Sequence, residues 1–516
     1  MRRIIGRLLP GVVLFMVMMV APALAVSAEE VAVYGYNSDP IVFWDPRDAA
    51  SDETIWMNNV YERLLHLNFE TGDLEPELAM RYEVSDDGLV WTFYLRQDVQ
   101  FHTGNAMDAA AVRDSILGTK NRGKGLAYIW DAVKSVDVID GHTVTFRLEY
   151  PAPLGLSAAS ALGAFIYDPK YVDEAWYSAG NDSGTGPYAV KSHDGTERIE
   201  LAKFTKYWRG WDGQHFDKVV FLKVADATTR RLMVESGQID FTNQLPPQMI
   251  ADLGRSSSVE IVKGPSFQNL IAFFNTKKPP LDDPLVRRAL AYTIPYADVI
   301  TSALGGFGQQ SRGPVPYGMW GHSDRIKQYT FSMETARALL TAAGYPDGGF
   351  KLVLTYTAGD DIEELTAQLW KSALAQLNVE LEIRGMPWES HWDYAKGTDP
   401  LKRQDIFMFY WWSSYPNPYG YLHYMFETEQ EITWNLGYYS NPVYDSLINT
   451  ANRLTGRNQD EAIDMFIEAQ NILMEDVPGL AVFDMQYVRA KNADLTGYVD
   501  NPIYTNVVFW YDCHRK

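Results

Sequence analysis

Aromatic side chains crowd one short stretch in the second half of the chain, YWWSSYPNPYGYL, which runs from Tyr410 to Leu422. The stretch also contains two prolines and a glycine, but no charged residue. Aromatic rings bury large apolar areas, while the tyrosine hydroxyl and the indole N–H still need hydrogen-bond partners. Such a stretch either packs in a core or holds a flat ligand, and core packing stays an alternative for Trp411 and Trp412.

Catalytic signatures are missing from the sequence. It contains no GxSxG, no HExxH, no Gly-rich phosphate loop and no CxxC, and its nine histidines show no metal-ligand spacing. Acidic residues cluster at 360–364, where they suit the start of a helix, and at 427–431, which we interpret as a solvated loop. A periplasmic hydrolase that uses paired carboxylates is therefore a distant alternative. We predict no enzyme, no metal site and no cofactor.

The amino terminus predicts export. Arg2, Arg3 and Arg7 precede an apolar run that is too short to span a bilayer comfortably, and Ala23-Leu24-Ala25 is a small-x-small cleavage site. We predict a signal peptide over residues 1–25. The chain's one cysteine, Cys513, lies far from that site, so we expect a protein that is free in the periplasm and carries no lipid.

The net charge of the chain is −21, and removal of three signal-peptide arginines would make it more negative. Phosphate backbones are bound by basic surfaces, so we predict no nucleic-acid partner.

Hydrophobic alternation predicts strands at Trp91–Leu95 and at Val144–Leu148. Further along, Leu352, Leu354 and Tyr356 predict a strand; helical spacing of Ile362, Leu365, Leu369, Ala373 and Leu377 predicts a helix; and Val379, Leu381 and Ile383 predict a second strand. Such a strand-helix-strand unit is normally parallel and right-handed. A further strand, 406–411, leads directly into the aromatic stretch, which would place it at a strand's carboxyl end, where open α/β sheets bind ligands.

Several segments resemble one known family. AMRYEVSDDGLVWTFYLRQDVQFHTG, from Ala79 to Gly104, follows a family signature almost position by position. Further matches come in family order: GTGPY at 184–188, KYWRGW at 206–211, FFNTKKPPLDDPLVRRALAYTI at 273–294, ETARALLTAAGYPDGGF at 334–350 and EAQNILMEDVPGLAVF at 468–483. The chain is thus similar to the extracytoplasmic solute-binding proteins of ABC transporters, family 5, the peptide/nickel/oligosaccharide type.

The resemblance implies a two-lobed α/β binding protein of the cluster C-like, type II kind, with an extra α+β domain inserted in the first lobe. Lobe one would comprise a discontinuous domain I (29–60, 175–275 and 480–516) and the inserted domain II (61–174). Lobe two would be domain III (276–479). The implied function is delivery of a peptide or related small polar solute to the permease subunits of an ABC importer, by a monomer whose lobes close around the solute.

The same resemblance bears on the site. Peptide-binding relatives carry the pattern Trp-x-x-Asp-Tyr, whose aspartate receives the peptide's ammonium group; here the pattern is Trp411-Trp412-Ser413-Ser414-Tyr415. Dipeptide binders also carry an arginine for the ligand carboxylate, and Thr357 stands at that position. A serine hydroxyl cannot neutralise a buried ammonium. The expected site is therefore aromatic and uncharged, which leaves an oligosaccharide as the alternative solute.

We predict that the ligand contacts extend beyond this pattern. Tyr36 and Asn37 follow a first predicted strand, 31–34, and would face the cleft from lobe one. Trp388 and Trp392, four residues apart, would face it from lobe two or would form one buried helical face. The predicted ligand-binding set is Tyr36, Asn37, Trp388, Trp392, Tyr410, Trp411, Trp412, Ser413, Ser414 and Tyr415.

Overall fold

The fold is taken from a computed structural model of the chain, which describes residues 29–69, 73–160, 162–397, 399–412, 415–456, 458–504 and 506–516. The predicted signal peptide lies outside these residues, and so do two predicted site residues, Ser413 and Ser414. Among the helices of the described part, none is both long and apolar enough to cross a membrane.

The strands are, in chain order, β1 (Val31–Tyr36), β2 (Leu65–Leu67), β3 (Leu74–Pro76), β4 (Ala79–Val84), β5 (Val90–Leu95), β6 (Val133–Asp140), β7 (Thr143–Leu148), β8 (Tyr188–Asp194), β9 (Arg198–Lys203), β10 (Lys218–Lys223), β11 (Phe241–Asn243), β12 (Val259–Phe274), β13 (Gly308–Gln310), β14 (Phe350–Thr357), β15 (Val379–Met386), β16 (Ile406–Trp412), β17 (Gly479–Asn492), β18 (Leu495–Thr496) and β19 (His514–Arg515).

The α-helices are α1 (Thr54–Val60), α2 (Ala109–Arg122), α3 (Leu154–Ser160), α4 (Glu174–Ser178), α5 (Ala227–Glu235), α6 (Pro247–Leu253), α7 (Pro284–Tyr292), α8 (Tyr296–Ser302), α9 (Met333–Ala342), α10 (Asp361–Ala375), α11 (Trp388–Ala395), α12 (Tyr419–Phe426), α13 (Pro442–Leu454) and α14 (Gln459–Asp476). Short 3-10 turns lie at Ala127–Trp130, Leu162–Ala164, Pro400–Lys402 and Trp510–Asp512.

One large sheet runs through both lobes. Its strand order is β15-β14-β16-β12-β17-β11-β1-β10-β9-β8, and β13 pairs with β17 as well. The long antiparallel strands β12 and β17 lie at its centre. The first part of β12 lies opposite the segment of β17 that also pairs with β11, whereas the last part of β12 pairs with β16. These two strands therefore join the lobes, and their register shifts between Pro265 and Asn269.

A separate four-stranded antiparallel sheet, β4-β5-β7-β6, belongs to the first lobe. The predicted strands at 91–95 and 144–148 are confirmed as β5 and β7, which pair with each other. Val112 and Ile116 of α2 pack with Phe93 and Phe146 in one buried cluster. This sheet therefore has its own core, while the domain boundaries drawn from the sequence stay predictions.

The predicted strand-helix-strand unit is confirmed in the second lobe, where β14 and β15 are parallel and α10 connects them. The predicted buried face of α10 is partly wrong, however, because Leu365 is 38% exposed. The helix instead buries Glu363, Thr366, Ala367, Trp370, Ala373 and Leu374. The buried face therefore includes a carboxyl group, which apolar spacing alone does not reveal.

Candidate functional site

A cavity of about 940 Å³ lies between the two lobes. The first lobe lines it with residues at and beside the 3-10 turn that follows α2: Gly125, Leu126, Tyr128 and Asp131. The second lobe contributes most of the aromatic lining: Trp388, Phe409, Tyr410, Trp411, Trp412, Tyr415, Tyr424 and Trp434. Its other lining residues are Thr357, Asp360, Glu363, Gly420 and His423.

The cavity opens where two parallel strands stop pairing. β14 and β16 pair only at Leu354–Ile406 and Thr355–Phe407. Beyond these pairs the carboxyl end of β14, Thr357, and the last residues of β16 border the cavity. This is the position that the sequence predicted for a ligand crevice, at the carboxyl ends of strands in an α/β sheet.

The aromatic walls are built by residues that are distant in sequence. The Trp411 ring lies 5.1 Å from the ring of Trp434 and 6.2 Å from that of Tyr424, measured between centroids. Tyr128 of the first lobe meets Tyr424 edge-on at 6.1 Å. The Nε1 atom of Trp411 is buried and meets no acceptor among the described residues. The cavity thus combines flat apolar faces with a donor that has no described partner.

Five of the predicted site residues line the cavity: Trp388, Tyr410, Trp411, Trp412 and Tyr415. Trp392 lies on α11 behind Trp388, with ring centroids 5.4 Å apart, and is not a lining residue. Trp412 is 61% exposed. Contact of any of these side chains with a solute stays a prediction.

Tyr36 and Asn37 lie away from this cavity. The first strand runs on to Tyr36, beyond its predicted end at 34, so this side chain packs in the core at 2% exposure. Its hydroxyl donates to Asp52 Oδ1 at 2.7 Å. Asn37 donates to the side chain of Gln244. The longer strand therefore turns Tyr36 inward, where the sequence predicted a cleft residue.

Three carboxyl groups line the cavity, which differs from the uncharged site expected from the sequence. They belong to Asp131, Asp360 and Glu363. Asp360 caps α10, since its Oδ1 accepts from the Glu363 N–H at 2.8 Å. Glu363 is 1% exposed, and its Oε2 accepts from the Thr357 N–H at 2.7 Å. The acidic cluster was correctly predicted to start a helix, but its part in the cavity was missed.

Burial controls the ionisation of these groups. Desolvation raises the pKa of Glu363 to about 8 and also raises the pKa of Asp360. The backbone hydrogen bonds described above oppose this effect, because they favour the charged form. The described residues contain no group of three or more His, Cys, Asp and Glu suited to hold a metal ion.

We expect Glu363→Gln to change how stability depends on pH. A carboxyl whose pKa rises from 4.5 when unfolded to about 8 when folded makes the folded state take up a proton, so stability falls as pH rises through that range. The substitution removes this loss, which a shift of that size puts at roughly 4 kcal/mol between pH 5 and pH 8.5. Urea unfolding at pH 5 and pH 8.5 should show a smaller decline for the variant than for the parent.

Asp361→Asn is the matched control, because Asp361 lies on the same first turn but is exposed. Its removal should leave the pH dependence of unfolding like that of the parent protein. An identical pH dependence in Glu363→Gln and in the parent would contradict the assignment of this effect to Glu363.

A second cavity of about 670 Å³ adjoins the first. Trp91 and Leu156 line it from the first lobe, and Phe267 and Trp320 from the second. The consecutive residues Tyr415 and Pro416 line different cavities. The middle of the aromatic stretch therefore borders both spaces of the interlobe cleft.

The family model for "Bacterial extracellular solute-binding proteins, family 5 Middle" matches residues 73–431. The probable D,D-dipeptide-binding periplasmic protein DdpA of Escherichia coli K12 is 27% identical over 492 residues, which cover 93% of each chain. The glutathione-binding protein GsiB of Salmonella paratyphi A is 27% identical over 484 residues, or 92% of this chain and 93% of the relative.

Among solved structures, HbpA2 from Haemophilus parasuis matches with a TM-score of 0.82, over 94% of this chain and all of that one. Its sequence is 22% identical, so this likeness concerns the fold. The predicted two-lobed α/β fold class is confirmed.

Proposed function

We propose that this protein, which belongs to the bacterial extracellular solute-binding proteins, family 5, captures a peptide or a related small polar solute and delivers it to an ABC importer. The observation that carries the proposal is the aromatic cavity of about 940 Å³ lined by both lobes. A solute held there touches both lobes at once, so it favours the closed arrangement of the lobes. The closed form is then the form that permease subunits receive.

Two further observations support a peptide-like solute. DdpA and GsiB are named for a D,D-dipeptide and for glutathione. The buried Nε1 of Trp411 can donate to an acceptor such as a peptide carbonyl. The carboxyls of the cavity weaken the argument for a neutral oligosaccharide, which rested on an uncharged lining.

The proposed ligand contacts are the lining residues Trp388, Tyr410, Trp411, Trp412 and Tyr415. The sequence gives Ser414 and Thr357 the positions at which dipeptide binders carry their charged groups, so we expect ordinary dipeptides to bind weakly. The protein acts in this proposal as a periplasmic monomer that is cleaved after Ala25.

We expect the radius of gyration to fall when the protein binds its solute. The lobes are joined by β12 and β17, and the register shift between Pro265 and Asn269 is the proposed hinge. Protein exported by its native host should be purified with its solute, which mass spectrometry then identifies. Small-angle scattering compares the protein before and after removal of that solute by partial unfolding and refolding.

The control is the refolded protein with the solute added back, which should restore the smaller radius. Absence of any copurified or saturably bound small solute would contradict the proposed function. An unchanged radius with a bound solute would contradict closure but not capture.

A further inference from the structure

We infer that the solute carries a positively charged amine, and that Asp360 and Glu363 at the start of α10 receive this group between the aromatic walls of the cavity. The inference rests on the proposed function, since it specifies the solute class of the same site. It assigns recognition of the solute's positive charge to residues other than position 414, where peptide-binding relatives carry their aspartate.

The described lining of the cavity carries acidic groups without a partner lysine or arginine, and its histidine, His423, is already paired with Glu427. Asp131, Asp360 and Glu363 are acidic, and none of the described lining residues is Lys or Arg. The main electrostatic influences on Asp360 and Glu363 are burial, hydrogen bonds and neighbouring acids, and none of these comes from a cation of the described residues. A buried carboxylate without a counterion is costly, whereas a bound cation in contact with it supplies the missing partner. An anionic solute would meet repulsion from both lobes.

Helix capping explains only part of the acidic cluster at 360–364. Asp360 caps α10, and the exposed side chains of Asp361 and Glu364 already complement the positive end of the helix. Glu363 is different because it lies on the buried face of α10 at 1% exposure and still lines the cavity. An exposed carboxylate would stabilise the helix start without a desolvation penalty. The burial of Glu363 therefore points to a partner from outside the chain.

Local hydrogen bonds hold both carboxyls in place without neutralising them. The Thr357 N–H donates to Glu363 and the Glu363 N–H donates to Asp360. The Tyr410 hydroxyl lies 3.5 Å from Asp360 Oδ1. Burial raises the pKa of both carboxyls, and a cation bound beside them would lower it again. Both positions are therefore prepared for a cation that the described residues do not supply.

The aromatic walls suit the same group. Trp388, Tyr410 and Trp411 line the cavity together with the two carboxyls. A cation is attracted to the face of an indole or phenol ring, most strongly when both are removed from water. The carboxyl groups and the aromatic faces of this cavity together form a site for an ammonium group that is attached to an apolar body.

Three probes that share a phenylalanyl-alanine body and differ in net charge test the inference on the full mature protein: phenylalanyl-alanine amide (positive), its N-acetyl form (neutral) and N-acetyl-phenylalanyl-alanine (negative). Calorimetric titration should rank their affinities in that order, with about tenfold or more between the first two. The solute that copurifies from the native host should carry a basic group. A neutral or acidic copurified solute, or equal affinity for the first two probes, would overturn the inference.

The variants separate charge from structure. Asp360→Asn keeps a capping side chain and Glu363→Gln keeps the acceptor for Thr357, so both preserve the local bonds. Each should weaken binding of the amine probe, or of the copurified solute, about tenfold or more. Asp361→Asn, which removes an exposed charge from the same turn, should change it by about twofold at most. Equal effects of all three variants would count against the inference, while failure to bind any solute would contradict the proposed function instead.

Discussion

Replacing Trp411 by alanine is expected to weaken solute binding by about 1–3 kcal/mol, or about five- to 150-fold in Kd. Trp411 lines the cavity and packs against Trp434 and Tyr424, so truncation removes both its own stacking surface and the support of its neighbours. Titration of the copurified solute, with affinity expressed per folded molecule, measures the effect.

Trp411→Phe is the matched control, because it keeps a flat ring at the end of β16 and should recover part of the lost affinity. A purely structural tryptophan would behave differently. Its removal would lower the melting temperature and leave the affinity of the folded fraction unchanged, and that result would contradict a direct role for Trp411.

Replacing Arg287 by methionine is expected to lower the free energy of unfolding by about 3 kcal/mol or more. The guanidinium of Arg287 is buried and donates to the carbonyls of Leu281, Asp282, Asp476 and Val477 at 2.6–3.2 Å. Methionine fills much of the same volume but leaves these carbonyls without their donor. Urea unfolding followed by circular dichroism measures the loss.

The neighbouring Arg288 provides the control. Its side chain is 30% exposed, donates to the Glu475 carbonyl and lies 3.5 Å from the Glu475 carboxylate. Arg288→Met should therefore cost no more than about 1 kcal/mol. Equal losses for the two variants would show that burial at Arg287 is not the source of the effect. The contacts of Arg287 thus assign it a structural role.

Local patterns predicted much of the fold. The alternation in 90–95 and 143–148 depends only on which side of a strand faces a core, and both strands are present. The strand-helix-strand order of 350–386 is likewise a local property. Errors arose at element ends and faces, where β1 runs on to Tyr36 and α10 exposes Leu365. Packing against other elements decides these features.

The candidate site was predicted less completely, because it is assembled from distant segments. The aromatic stretch identified Tyr410, Trp411, Trp412 and Tyr415 by their local density of rings. Tyr128, Tyr424 and Trp434 line the same cavity, but each is an ordinary aromatic residue in its own segment. The sequence did contain a signal for the burial of Glu363. Helical spacing places it on the same face of the helix as Thr366, Ala367 and Trp370, which are buried.

Sequence patterns alone were sufficient to predict the family, the alternation of strands and helices, and the position of an aromatic stretch at the end of a strand. These properties follow from short-range periodicity and from motifs that keep their order along the chain. The charge of the cavity, in contrast, depends on how distant segments pack together. A carboxyl at a helix start is solvated or buried according to what packs over it. Here the described lining of the cavity places Asp360 and Glu363 among aromatic rings, with no Lys or Arg.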